Sequence, residues 1–182
     1  MKNLWAIVLT TGLVLTGVVP AHAASKGKIE ASVDTTLERF YREVSSGEDL
    51  VKNAKGVLVF PPVRAAGMGL GGEPVEGALQ INGKTATYYN TSVSISTQDH
   101  GPMVTAAIVI IFQDSSALDK FRASAGWEAG VDASIAVVKV GAGGAMDTSK
   151  LNEPILGFIV GQFGHMYNFS TLEGAKFSKI ER

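Results

Sequence analysis

Between residues 45 and 55 the spacing of apolar side chains changes period, and that change restricts the fold more than any other feature. Before it, in "KGKIEASVDTTLERFYREVS" (26–45), Ile29, Val33, Leu37, Phe40, Tyr41 and Val44 recur at helical spacing and define one apolar stripe. After it come short runs rich in β-branched residues: "KGVLVF" (55–60), "VEGALQI" (75–81), "TATYYNTSVSIS" (85–96) and "MVTAAIVIIF" (103–112). Helix first and strands afterwards predicts an α+β domain, because a parallel fold would alternate the two.

Local signals fill in the plan. Asn82-Gly83, between the second and third runs, predicts a two-residue hairpin turn. Pro61-Pro62 is expected to stop the first strand. The run 103–112 is apolar throughout and reads as the central strand. "DSSALDKFRASA" (114–125) reads as a helix with Leu118, Phe121 and Ala125 on one face, Ser116 and Asp119 as its cap, and Gly126 as its terminator. A shorter helix is expected in "EDLVKNA" (48–54), opened by a capping box of Ser46 and Asp49, and Glu38 and Arg42 are placed to pair on the first helix. Beyond Gly126, residues 127–147, 154–164 and 165–180 read as β segments punctuated by glycine. The expected architecture is α+β: an N-terminal amphipathic helix, then a strongly curved, mainly antiparallel, glycine-rich sheet approaching a barrel, with one inserted helix near 115–125.

The first residues, "MKNLWAIVLTTGLVLTGVVPAHAAS", have the layout of a secretory signal: Lys2, an apolar run from Leu4 to Val19, then Pro20 and the small residues of Ala21-His22-Ala23. Cleavage after Ala23 would leave a single domain, 24–182, with a helical part at 26–54 and a β-rich part at 55–182, and a periplasmic or secreted location. The chain has no cysteine, which excludes a thiol nucleophile, a redox pair and a thiolate metal site. Its 16 Lys and Arg nearly cancel its 17 Asp and Glu, so no general attraction to nucleic acid is expected.

Gly67-x-Gly69-x-x-Gly72 matches the letters of a dinucleotide-binding loop. The context does not fit. Glu73 and Glu76 would repel a pyrophosphate, and Gly77 with the Asn82-Gly83 turn denies the helix that must follow. Alternation fits better: Gly67, Gly69 and Gly71, like Gly141 and Gly143, would give strands with one bare face, where a sheet bends sharply or a second backbone or a ligand comes close. The histidines after the leader, His100 and His165, lie in turn-like stretches without metal-ligand spacing. Asp99-His100 is the nearest approach to an acid–base pair, and it reads as a polar loop. No catalytic constellation emerges and no cofactor is expected. The first helix remains. Its stripe is expected to dock on the sheet, with burial in a membrane interface as the alternative, because Glu30, Asp34, Glu38 and Glu43 offset Lys26, Lys28, Arg39 and Arg42.

The segments "AKGVLVFP" (54–61), "GMGLGG" (67–72), "EGAL" (76–79), "YYNT" (88–91), "ALDKFRASAGWEAGVDAS" (117–134), "VGAGG" (140–144) and "MYNFSTLEGAKFSKI" (166–180) occur in order. Together they resemble the bacterial members of the SYLF-domain family, over roughly residues 30–182. Glu73-Pro74-Val75 departs from the freer, glycine-rich run of that pattern. The resemblance implies a non-enzymatic lipid-binding module. Its eukaryotic relatives bind phosphoinositides, some also actin filaments, with an N-terminal amphipathic helix and basic residues implicated in the lipid contact. Carried over by position, these are Lys26, Lys28, Arg39 and Arg42. Anionic phospholipids or a membrane surface are the implied partners, and actin is not expected. The alternatives are a structural or protein-interaction module of the cell envelope, accepting a partner strand on its glycine-lined surface, and a hydrolase using Asp99, His100 or a buried carboxylate.

Overall fold

The computed structural model describes residues 25–65, 74–92, 104–161 and 172–182. These form an α+β fold whose eight strands make one mixed, strongly curled half-barrel sheet. Helix α1 (Lys26–Glu43) and the short α2 (Gly47–Asn53) precede the strands β1 (Gly56–Ala65), β2 (Val75–Ile81), β3 (Lys84–Ser92) and β4 (Val104–Phe112). Helix α3 (Ser115–Ala123) follows, then β5 (Gly126–Glu128), β6 (Ala136–Val137), β7 (Ile155–Gly161) and β8 (Lys176–Ile180). The strand order is β5-β8-β3-β2-β1-β4-β7-β6. All pairs are antiparallel except β6 with β7.

The period-two pattern of the strands builds two cores, one on each face of the sheet. On one face Leu58, Phe60, Leu79, Tyr89, Ile108, Ile110, Phe112, Ile159 and Phe177 pack with Leu118 and Phe121 of α3 and with Trp127. On the other, Val57, Val59, Ala78, Val109, Ile111, Leu156 and Phe158 pack under Ile29, Val33, Leu37, Phe40 and Val44. The first face is the inside of the curl. Phe60 on β1 and Phe177 on β8 are separated by two intervening strands, about 14 Å across a flat sheet, yet their ring centroids lie 5.6 Å apart. Phe121 fills the space between, with its ring 4.9 Å from that of Tyr89 and 5.0 Å from that of Phe112.

Glycine shapes this interior at positions outside the alternating pattern. A Cβ on Gly77 would stand 2.2 Å from the Val59 carbonyl oxygen and 2.6 Å from the Phe60 ring. The missing side chain lets Phe60 lie across β2 toward Phe177. Gly157 on β7 makes room in the same way for Ile135 and Leu172, which a Cβ would meet at 2.6 and 3.0 Å. Gly141 and Gly143, in contrast, belong to no strand. They flank and form a one-turn 3-10 helix (Ala142–Gly144), where Gly143 and Gly144 have φ of 73° and 80°. Gly67, Gly69, Gly71 and Gly72 lie outside the described residues.

Several local expectations are corrected. Pro61-Pro62 does not end β1. The strand continues to Ala65, and its register against β4 shifts between Phe60 and Val63, so the prolines sit in an irregularity where no ladder donor is required. Ser46 forms no side-chain cap, having a left-handed φ of 63°. Asp114, not Ser116, caps α3, accepting from Ala117 N at 2.8 Å, and the helix ends at Ala123, ahead of Gly126. Much of 127–147 is turn, with only the short β5 and β6 in strand conformation before residue 138. The Asn82-Gly83 hairpin forms as expected, closed by the Ile81–Lys84 pair.

Candidate functional site

Helix α1 lies on the outside of the curl, against β1 and β2. Its stripe is part of the core: Val33 and Phe40 are wholly buried, and the Phe40 ring meets that of Phe158 edge-on at 5.0 Å. Its C-terminal end is held by the glycine turn. Ser45 N donates to Gly144 O at 3.0 Å, and a Cβ on Gly144 would come within 2.8 Å of Glu43 O. The "VGAGG" segment is therefore a clamp on the helix end.

The polar side of α1 is divided by charge. At about 100° per residue, Glu30, Asp34 and Glu38 fall on one flank and Lys28, Arg39 and Arg42 on the other. Two of the three acids are tied to the sheet: Tyr88 Oη donates to Glu30 Oε1 at 2.6 Å, and Gln80 Nε2 to Asp34 Oδ1 at 3.3 Å, whereas Glu38 is exposed and faces outward about 40° from Arg42. That bond to Glu30 is the main reason the Tyr88 phenol is pushed above its usual range. The basic flank points more directly away from the sheet. Lys28 and Arg42 are exposed there, about 21 Å apart along the axis at 1.5 Å per residue.

The four residues singled out in the sequence thus do not form one cluster. Lys28 and Arg42 share the outward flank. Arg39 lies on the same side, about 20° beyond Lys28 in azimuth, but is half-buried, and its Nε donates to Glu43 Oε1 at 2.6 Å. That pair forms on the helix in place of the expected Glu38–Arg42. Lys26 is exposed on another side, in line with the buried stripe but beyond its first residue, Ile29.

Magnitudes decide what such a helix does at a charged surface. Each cation near an anionic membrane is worth about 1 kcal/mol, so Lys26, Lys28 and Arg42 together supply a few kcal/mol. Lifting α1 off the sheet would expose Ile29, Val33, Leu37, Phe40 and Val44. At about 1.5–3 kcal/mol per side chain, that is on the order of 10 kcal/mol, comparable with the stability of a whole domain. Charge attraction alone does not release the helix from the sheet.

Elsewhere the described residues offer little chemistry. Among them no group of three or more His, Cys, Asp or Glu side chains is gathered to hold a metal, and no helix is long and apolar enough to cross a membrane. Asp99, His100 and His165 lie outside them, as do residues 1–23. The edge strands β5 and β6 have three and two residues, short for pairing with a partner strand. No protein-family model matches the chain, and no curated protein matches it significantly.

Proposed function

We propose that this protein is a non-enzymatic module that binds anionic lipid surfaces, in the periplasm or outside the cell, through the outward basic flank of a helix that stays docked. The observation that carries the reading is the charge division of α1. Its apolar stripe is in the core and two of its carboxylates are bonded to the sheet, so Lys28 and Arg42 face outward together. The ordered likeness to SYLF sequences and the leader-like first residues support it. Binding of this kind is reversible, needs no cofactor and weakens with salt, because exposed charges separated from headgroups by more than a Debye length are screened.

The test is flotation of the chain beginning at Ala24 with vesicles of anionic or neutral phospholipid. The protein is expected to float with anionic vesicles at low salt, to remain below with neutral ones, and to be released by salt. Lys28→Glu with Arg42→Glu is expected to abolish flotation without unfolding the chain, since both side chains are exposed. Failure to float with anionic vesicles would sink the reading. Unchanged flotation of the charge-reversed variant would move the site off α1.

A further inference from the structure

We propose that Asn82 is a site of spontaneous backbone modification: its side-chain amide cyclises onto Gly83 and reopens as aspartate or isoaspartate. Asn82 and Gly83 are the two loop residues of the β2–β3 hairpin, with φ of 52° and 72°, and both are exposed. Ile81 and Lys84 close the turn. Among the described residues the Gly83 N–H makes no backbone hydrogen bond of its own, and nothing there lies within 4 Å of where a Gly83 Cβ would be. A nucleophilic backbone nitrogen without side-chain shielding, next to a primary amide in water, is the arrangement this chemistry needs.

The step balances without an oxidant or reductant. The Gly83 nitrogen attacks Asn82 Cγ and forms a C–N bond. The bond from Cγ to the amide nitrogen breaks, and that nitrogen leaves as ammonia, taking the Gly83 proton by way of solvent. Water then opens the cyclic imide at one of its two carbonyls. Opening at Cγ restores the ordinary backbone with an aspartate side chain. Opening at the backbone carbonyl routes the chain through Cβ and Cγ and adds one methylene to a two-residue turn.

The other described asparagines are less exposed to this route. Asn53 precedes Ala54 and its side chain donates to Asp49 O at 2.8 Å. Asn90 is held within β3 between two paired strands and precedes the buried Thr91. Asn152 precedes Glu153, whose side chain crowds the attacking nitrogen. The two products differ in consequence. Aspartate suits the same turn, because Asp-Gly is also a favoured hairpin pair. Isoaspartate lengthens it, two residues from Gln80, which holds Asp34 of α1.

Ageing the folded protein at mildly alkaline pH and mapping its peptides by mass tests this directly. Conversion is expected at Asn82 ahead of Asn53, Asn90 and Asn152. It would appear as the mass difference between an amide and an acid, with part of the product accepting a methyl group from an isoaspartate-specific methyltransferase. Asn82→Asp should keep the hairpin and show no such mass gain at this position. If a short peptide containing Asn82-Gly83 converts while the folded protein does not, the turn protects the residue and the proposal is overturned. Conversion at Asn82 no faster than at the other three would overturn it as well.

Discussion

The interior of the curl depends on single atoms at two residues. Gly77→Ala would place a methyl 2.2 Å from the Val59 carbonyl, which is backbone and cannot swing aside. We expect a loss of about 1–3 kcal/mol or more, as for other overpacked cores, seen as a lower urea midpoint. Gly126→Ala is the control, its nearest neighbour to a new Cβ being 3.8 Å away. Equal midpoints for the two variants would mean that Gly77 does not set the approach of Phe60. Tyr89 is the opposite case. Its hydroxyl is buried without a hydrogen-bond partner among the described residues, and burial pushes the phenol above its usual 10.0. Tyr89→Phe should therefore raise stability by about 1 kcal/mol, because no bond is lost and no polar group stays unsatisfied. The folded state holds this proton more tightly than the unfolded one. Its contribution is complete below about pH 10 and falls as pH rises past that value, so the phenylalanine variant should keep more of its stability in alkali. A less stable variant at neutral pH would show that the hydroxyl has a partner.

At the scale of elements, α1 is a core helix with a charged exterior. Phe40→Ala should cost about 3–5 kcal/mol, and the amides of α1 should exchange with deuterium only as slowly opening as those of β1 and β4. Faster exchange confined to α1 would mean that the helix lifts off alone, against the docking described. The stripe was legible in the sequence because helical period and burial are one signal, and the hairpin because Asn-Gly favours one turn. Other features were not. Counting charges makes those of α1 cancel, whereas placing them by azimuth separates them, and only the partners Tyr88 and Gln80 show which flank is engaged. Prolines inside β1 read as a stop because a register irregularity against a partner strand has no local signature. Alternating glycines read as a bare strand at Gly141 and Gly143, where positive φ makes a turn. Gly77 and Gly157, which relieve crowding on the sheet, stand singly and carry no pattern.

For the whole molecule, the two cores divide the labour. The inside of the curl is filled by aromatic rings and α3, and the outside is roofed by α1, whose far side is the surface we propose meets anionic lipid. The central claim is that this surface works with the helix in place, and the absence of cysteine makes the claim testable. In a variant carrying Asp34→Cys and Gln80→Cys, the two thiols are the only ones present, at positions whose native side chains meet at 3.3 Å. A short bis-maleimide, which adds one thiol across each of its two alkenes, joins α1 to β2 there, and the same variant with each thiol blocked separately is the reference. Flotation with anionic vesicles at low salt is the deciding measurement. The account predicts that the crosslinked and uncrosslinked proteins float equally. Flotation of the uncrosslinked protein alone would contradict it and show that the helix must leave the sheet to bind.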